Sequence, residues 1–255
     1  MSNLKYMGSK ARIAKDIVQI IHYYMFGIKV NAYIEPFCGG CNIIDKINHT
    51  CRIASDTNKY LIALLEYVRD DGKLPDNVSR EEYIKVKQNL DMYPDWYVGA
   101  VGFLASYNGR FLDGGYAKPG YEVVKGVEKY RDYYKEAKEN LLEQSKYIKN
   151  IKFKACDYRN YNGVKGALIY CDPPYEKTQG YSDNGKFDSK DFWRTMRLWS
   201  MDNIVIISEL WGPSDFECIY EVDVKRTLGV EKKENATEKL FKLRQDDNAE
   251  KLFIF

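Results

Sequence analysis

The stretch that most constrains this chain is LIYCDPPY at residues 168–175. Residues 167–170 are apolar or aromatic throughout, the pattern of a strand buried on both faces of a parallel sheet, and such sheets receive ligands beyond the carboxyl ends of their strands. That strand runs into Asp172, so chemistry is expected there. Pro173 and Pro174 fix two successive φ angles and remove two amide donors, leaving a stiff backbone whose carbonyls meet no competing N–H. Tyr175 adds a flat ring. One carboxylate, one free carbonyl and one ring suit a planar heteroaromatic amine: the acceptors take its two amino hydrogens while the ring stacks on its face. The same residues also fit a plain Asp-Pro-Pro turn. The rest of the chain decides between the two.

Earlier segments follow a similar rhythm. Residues 32–35 (AYIE) suit a short strand, followed by PFCGGCN and a helical run at 43–47. Strand, glycine turn and helix let a ligand approach the backbone closely, although the G-x-G-x-x-G dinucleotide fingerprint is absent. A second strand at 51–55 (CRIAS) ends in Asp56, ahead of an apolar helix at 60–68. Asp56 stands about twenty residues beyond the first strand, where an acid at a strand tip accepts hydrogen bonds from ribose hydroxyls; it also fits a helix cap. At the N-terminus, MGSK (7–10) precedes an amphipathic pattern through Ile13, Ile17, Ile20, Ile21 and Tyr24. A helix start carrying Lys10 would attract an anion; a Ser9-capped surface helix is the plainer reading.

From residue 70 to 150 the strand rhythm stops. Helical patterns at 80–90, 95–105 and 127–148 surround a polar, glycine-rich loop at 106–122, in which Asn108, Arg110 and Lys118 are candidates for base edges or phosphates. A solvated scaffold loop fits equally well. Strands resume at 151–155, ending at Asp157-Tyr158, then at 167–170 and at 204–207, ending at Ser208-Glu209. Residues 176–186 suit a lid, and 219–224 with 252–255 suit a closing antiparallel pair.

The 255 residues carry 39 Lys and Arg against 37 acids, a net charge of +2, so any nucleic-acid binding must rest on local patches. Neither a leader nor a membrane-spanning run is evident, and a soluble, intracellular protein is expected. Cys38 and Cys41 form one C-x-x-C, but no second pair exists and the chain holds only His22 and His49. No metal is expected, and the cysteines read as reduced, mostly buried thiols.

Five segments stand in order: KYMGSK (5–10), EPFCGGCN (35–42), SDTN (55–58), CDY (156–158) and DPPY (172–175). Together they resemble the DNA adenine methyltransferases of the Dam-like group. The resemblance implies an α/β fold, a Rossmann-like class I methyltransferase sheet, mostly parallel with an antiparallel C-terminal strand. Residues 1–70 and 151–255 would form the catalytic and cofactor-binding domain, and 71–150 a mainly helical target-recognition insertion. It implies S-adenosylmethionine as cofactor, with Tyr6 and Lys10 near its methionine carboxylate and Pro36, Phe37, Cys38, Gly39 and Gly40 beneath it. Asp56 would hold the ribose, Asp157 with Tyr158 the adenine, and Asp172 would lie beside the methionyl amine and the target base. Asp172, Pro173, Pro174 and Tyr175 would be the catalytic set, acting on the exocyclic amine of an adenine flipped out of double-stranded DNA. A restriction endonuclease is an implied partner, and the cytoplasm of a bacterium or phage-infected host the implied location; no membrane or metal is implied. Tyr6 replaces a tryptophan common among relatives, and SELWGP after residue 207 resembles the phage-type branch. The loop matches loosely around Tyr107-Asn108-Gly109, so no recognised sequence is implied. Alternatives are methyl transfer to another amine (cytosine N4, RNA or a protein glutamine) and a DNA-binding protein that has lost the reaction.

Overall fold

A computed structural model describes residues 3–124, 126–175, 187–228 and 232–244. Within it the chain forms two compact units, Met1–Phe26 with Phe37–Asn160, and Gly27–Pro36 with Tyr161–Phe255.

The first unit holds the helices α1 (Ala14–Met25), α2 (Lys59–Arg69), α3 (Arg80–Gln88), α4 (Asp95–Leu104) and α5 (Tyr133–Ile148). Its strands β2 (Arg52–Asp56) and β5 (Ile151–Ala155) pair in parallel, with Asp56 opposite Ala155. Leu61, Leu64 and Leu65 of α2, Val98 and Val101 of α4, and Leu141 of α5 are fully buried and form its core. Residues 71–150 are not wholly helical. Strands β3 (Gly120–Val124) and β4 (Val127–Arg131) form an antiparallel hairpin where the sequence suggested the start of a long helix. The physical reason lies in the residues: Gly126 turns at φ 80°, Val127 and Tyr130 favour strands, and Asp132 caps α5 by accepting from the Lys135 amide at 3.0 Å. The expected helix at 43–47 is a single 3-10 turn, Ile44–Lys46. Its flanking β-branched residues Ile43 and Ile47 are buried, and so short a run cannot support an α-helix.

The second unit holds β1 (Ala32–Glu35), β6 (Ala167–Cys171), α6 (Ser189–Ser200), β7 (Ile204–Glu209), β8 (Phe216–Leu228) and β9 (Lys232–Leu243). β6 is parallel to β1, with Ile34 opposite Ile169, and to β7, with Cys171 opposite Ile207. The antiparallel finish is present, but β8 pairs with β9 and β9 with β7. Residues 252–255, the expected partner of β8, and the expected lid at 176–186 lie outside the described residues. Every position of β6 is buried, as its apolar sequence requires. The strand order is β5-β2 in the first unit and β1-β6-β7-β9-β8 in the second, parallel except at β9 and β8, in keeping with the Rossmann-like sheet expected. Among the described residues no helix is long and apolar enough to cross a membrane.

Close packing of α4 on α2 depends on Gly99, where an added Cβ would lie 2.2 Å from the Tyr60 carbonyl oxygen and 2.9 Å from Leu64 Cβ. On an exposed helix a glycine-to-alanine change gains about 1 kcal/mol. Here the clash is with backbone, so Gly99→Ala should instead lose about 1–3 kcal/mol in urea unfolding.

Candidate active site

In the first unit the strand tips carry the acids. The Cys156 amide donates to the Asp56 carbonyl at 3.1 Å, so Asp56 and Asp157 leave adjacent strands at the same end. The glycine loop is sewn to this edge: the Cys38 amide donates to the Ser55 carbonyl at 2.8 Å, and the Gly39 amide to Asp56 Oδ2 at 3.2 Å. The Asn58 amide donates to Asp56 Oδ1 at 2.9 Å. Burial raises the Asp56 carboxyl pKa, and the amides of Asn58, Gly39 and Thr57 oppose that rise. A carboxylate offers about four acceptor directions, so these amides leave capacity for hydroxyl donors. The helix cap is Asn58, whose Oδ1 accepts from the Tyr60 and Leu61 amides, both at 3.1 Å; Asp56 is not the cap.

Tyr6 lies on the glycine loop. Gly39 has φ 44°, and a Cβ there would sit 2.9 Å from the Tyr6 ring; a Cβ on Gly40 would sit 3.1 Å from Leu4 O and Tyr6 Cβ. Tyr6 also stacks on Phe103, with ring centroids 5.8 Å apart. Ser9 caps no helix; its Oγ accepts from Asn42 Nδ2 at 2.7 Å, binding KYMGSK to the end of the loop. Lys10 is buried, and its ammonium donates to the Gly8 carbonyl at 3.3 Å. Because α1 begins only at Ala14, after Ile13 with no side-chain cap, Lys10 stands ahead of the helix and not at its first turn. Phe37 packs against Tyr158 at 5.3 Å, giving an aromatic surface near Asp157. Asp157 is half exposed and ion-paired with Arg159 at 3.2 Å.

In the second unit β6 delivers Asp172 half-buried, with Pro173 buried behind it. The Tyr175 hydroxyl donates to Glu238 Oε2 at 2.6 Å and lies 3.2 Å from Ser208 Oγ. Glu35, at the tip of β1, accepts from the Tyr33 hydroxyl at 2.6 Å. Glu35, Glu209 and Glu238 are all buried, at 2%, 6% and 7% exposure, so this end of the sheet is strongly acidic. The electrostatic signature is consistent. Burial, then Asp172 and Glu35, raise the Cys171 thiol; burial, then Asp172 and Glu238, drive the Tyr175 phenol far up. A cluster of this sign favours a cation or a group acquiring positive charge.

The recognition candidates fare unevenly. Asn108 and Lys118 are exposed, but Arg110 is ion-paired with Asp113. The loop glycines serve packing: a Cβ on Gly109 would lie 2.1 Å from the Lys5 carbonyl oxygen, and one on Gly114 2.4 Å from that of Tyr107. The sequence reading missed the hairpin, whose outward face carries Tyr121 and Val123 at 72% exposure and Tyr130 at 54%. Alternation in GYEVV and VEKYR was its signal, hidden by the helix-like spacing that follows. It also missed Glu238, which sits in the polar run KKENATEKLFKL. None of the six cysteines is in a disulfide, with Cys38, Cys41 and Cys171 buried and Cys218 exposed, and no group among the described residues could hold a metal.

The family described as D12 class N6 adenine-specific DNA methyltransferase matches residues 6–101 and 114–197, well over half of the chain. The chain belongs to this family. The D12 match skips Asn108 and Arg110 and ends before β7, so neither residues 106–113 of the recognition loop nor Glu238 fall within it. The type II methyltransferase M.FokI of Planomicrobium okeanokoites is 24% identical over 228 residues, covering 79% of this chain. The chain spans only 33% of that relative's length. Among solved structures, the rRNA methyltransferase aviRa from Streptomyces viridochromogenes superposes with a TM-score of 0.42 at 10% identity, covering 93% of this chain and 86% of that one. A second structure of it gives 0.41.

The Tyr175–Glu238 contact generates a prediction for this D12 protein. Tyr175→Phe removes a donor from a buried carboxylate and should cost about 1–3 kcal/mol in urea unfolding. Adding Glu238→Leu should recover most of that loss, because both polar partners are then gone.

Proposed function

We propose that this chain is a DNA adenine-N6 methyltransferase that uses S-adenosylmethionine and acts on an adenine extruded from double-stranded DNA. The observation that carries the reading is the half-buried Asp172, held at the tip of a fully buried strand by two prolines and set among buried acids. A site of this kind accepts hydrogen bonds from an amine and stabilises positive charge, the demand that alkylation of an amino group makes. Family membership favours adenine over cytosine N4, RNA or protein amines, and the intact Asp172-Pro-Pro-Tyr segment argues against a protein that has lost the reaction.

The residues of the first unit fit the cofactor. The Asp56 carboxylate has acceptor capacity for ribose hydroxyls, the Phe37–Tyr158 surface with Asp157 suits an adenine ring and its amine, and the Gly39-Gly40 backbone beside Tyr6 allows close approach. We assign Lys10 to the carboxylate end of the cofactor on the strength of the KYMGSK resemblance alone. When bound, the cofactor supplies a methyl group already activated by its sulfonium. The chain's own part is orientation. The Asp172 carboxylate and the Pro173 carbonyl accept the two amino hydrogens, draw the nitrogen out of conjugation and leave its lone pair free. As the nitrogen becomes cationic the carboxylate stabilises it, so the positioned acid contributes to both steps. Tyr175, fixed by its hydroxyl to Glu238, offers its ring to the extruded base, a stacking contact of about 1–3 kcal/mol.

We assign DNA recognition to residues 71–150, with catalysis and cofactor binding in 1–70 and 151–255, as the family resemblance implies. Support comes from the hairpin: Tyr121, Val123 and Tyr130 stand exposed on one face, while Arg131 on the other holds Glu122 at 2.8 Å and Glu136 at 2.9 Å. An anchored ribbon with an aromatic outer face suits a nucleic-acid groove. Asn108 and Lys118 remain candidates for polar contacts, and Arg110 would first have to leave Asp113. A restriction endonuclease as functional partner and a cytoplasmic location belong to the same proposal, drawn from the type II relative and the family.

The test exposes unmethylated duplex DNA to protein and radiolabelled S-adenosylmethionine, then maps the modified bases. N6-methyladenine at a defined sequence is expected, and label only on cytosine or RNA would refute the adenine reading. Asp172→Ala should lose methyl transfer by about three orders of magnitude or more, Tyr175→Ala less. Tyr121→Ser with Tyr130→Ser should weaken duplex binding about tenfold or more while cofactor binding is unchanged.

A further inference from the structure

We propose that Gln144, on the inner face of α5, is a positioning residue for the cofactor loop, setting the backbone of Gly40 and Cys41 in the conformation that binds S-adenosylmethionine. This rests on the cofactor reading above. Gln144 lies outside every motif that carries the family resemblance, yet it is 2% exposed and uses both ends of its amide. Its Oε1 accepts from the Leu4 amide at 3.1 Å. Its Nε2 donates to Gly40 O at 2.9 Å, Asp45 Oδ2 at 3.0 Å and, more weakly, Cys41 O at 3.3 Å.

Those partners are the three pieces of chain on which the loop's shape depends. Leu4 begins the segment that lays Tyr6 over Gly39. Gly40 and Cys41 are the turn itself, and Cys41 has φ 57°, a left-handed conformation that costs a non-glycine residue energy and persists only when its surroundings hold it. Asp45 is a buried acid whose carboxyl pKa is raised by burial and lowered by Lys46 and by Gln144 itself. Lys46 closes the circuit, its ammonium donating to Asp45 Oδ1 at 2.7 Å and to the Asn42 carbonyl at 2.8 Å. A single amide thus ties the N-terminal segment to the glycine turn, and no other side-chain type of that length supplies one acceptor and two donors at once. A carboxylate would face three acceptors, and an apolar chain would leave buried carbonyls without this donor.

The closing experiment measures S-adenosylmethionine binding by calorimetry, duplex binding by fluorescence anisotropy and kcat at saturating cofactor, for wild type, Gln144→Met and Gln144→Glu. Hydrogen exchange at the Leu4 amide and across residues 38–42 provides a readout independent of turnover. Gln144→Met should bind the cofactor about 10- to 100-fold more weakly and exchange faster at Leu4 and in the loop, with duplex affinity and kcat held within about threefold. Gln144→Glu should bind weakly near pH 8 and recover as pH falls towards about 6, because a protonated carboxyl regains one donor. Wild-type cofactor affinity in folded Gln144→Met, or an equal loss of duplex binding, would overturn the assignment. If Gln144→Met does not fold, the Gln144→Glu pH series decides alone: recovery supports the assignment and a flat profile overturns it. Wild type that binds no cofactor would instead overturn the cofactor reading.

Discussion

Burial of β6 on both faces is the constraint from which the acidic end of the second unit follows. A strand of Ala, Leu, Ile, Tyr and Cys, hydrogen-bonded to parallel neighbours on either side, has no place for charge along its length. The first polar side chain is therefore expelled at its carboxyl end, and the two prolines that follow stop the ladder and fix the direction of exit. Neighbouring strands obey the same rule, so Glu35 ends β1 and Glu209 ends β7. Acids at neighbouring strand tips disfavour further negative charge and favour a group that acquires positive charge.

In the first unit a different economy operates. The Asp56 carboxylate holds the glycine loop through the Gly39 amide and the turn ahead of α2 through the Asn58 amide, so the acid that would meet a ribose is already oriented by backbone donors. Orientation of this kind is structural before it is functional. The loop is tied to Asp56 on one side and covered by Tyr6 on the other, and its glycines are needed because the Tyr6 ring and the Leu4 carbonyl leave no room for side chains.

A net charge of +2 gives no general attraction to a polyanion, so the DNA contact proposed above would depend on local design. The hairpin fits that requirement through shape and aromatic surface, with little help from charge. Its ion pairs, Arg131 with Glu122 and Glu136, are partly solvated and contribute modestly to stability; the second ties the hairpin to α5.

Periodicity determined β1, β2, β5, β6 and β7 and the acids at their tips, because a continuous apolar run flanked by turn residues has few other solutions. The order of the five motifs likewise determined the family, which the match over residues 6–101 and 114–197 bears out. Tertiary structure decided the rest. Residues 127–131 became a strand because Gly126 closes a turn and β3 offers a ladder, which overrode local helical spacing. β9 was illegible because only Leu240 and Phe241 in its described part are buried apolar residues, so its pairing with β7 and β8 comes from backbone hydrogen bonds that no side-chain pattern announces. Glu238 and Gln144 escaped notice for one reason: each is a polar residue made buried by partners distant in sequence, and burial of that kind is a property of the folded chain.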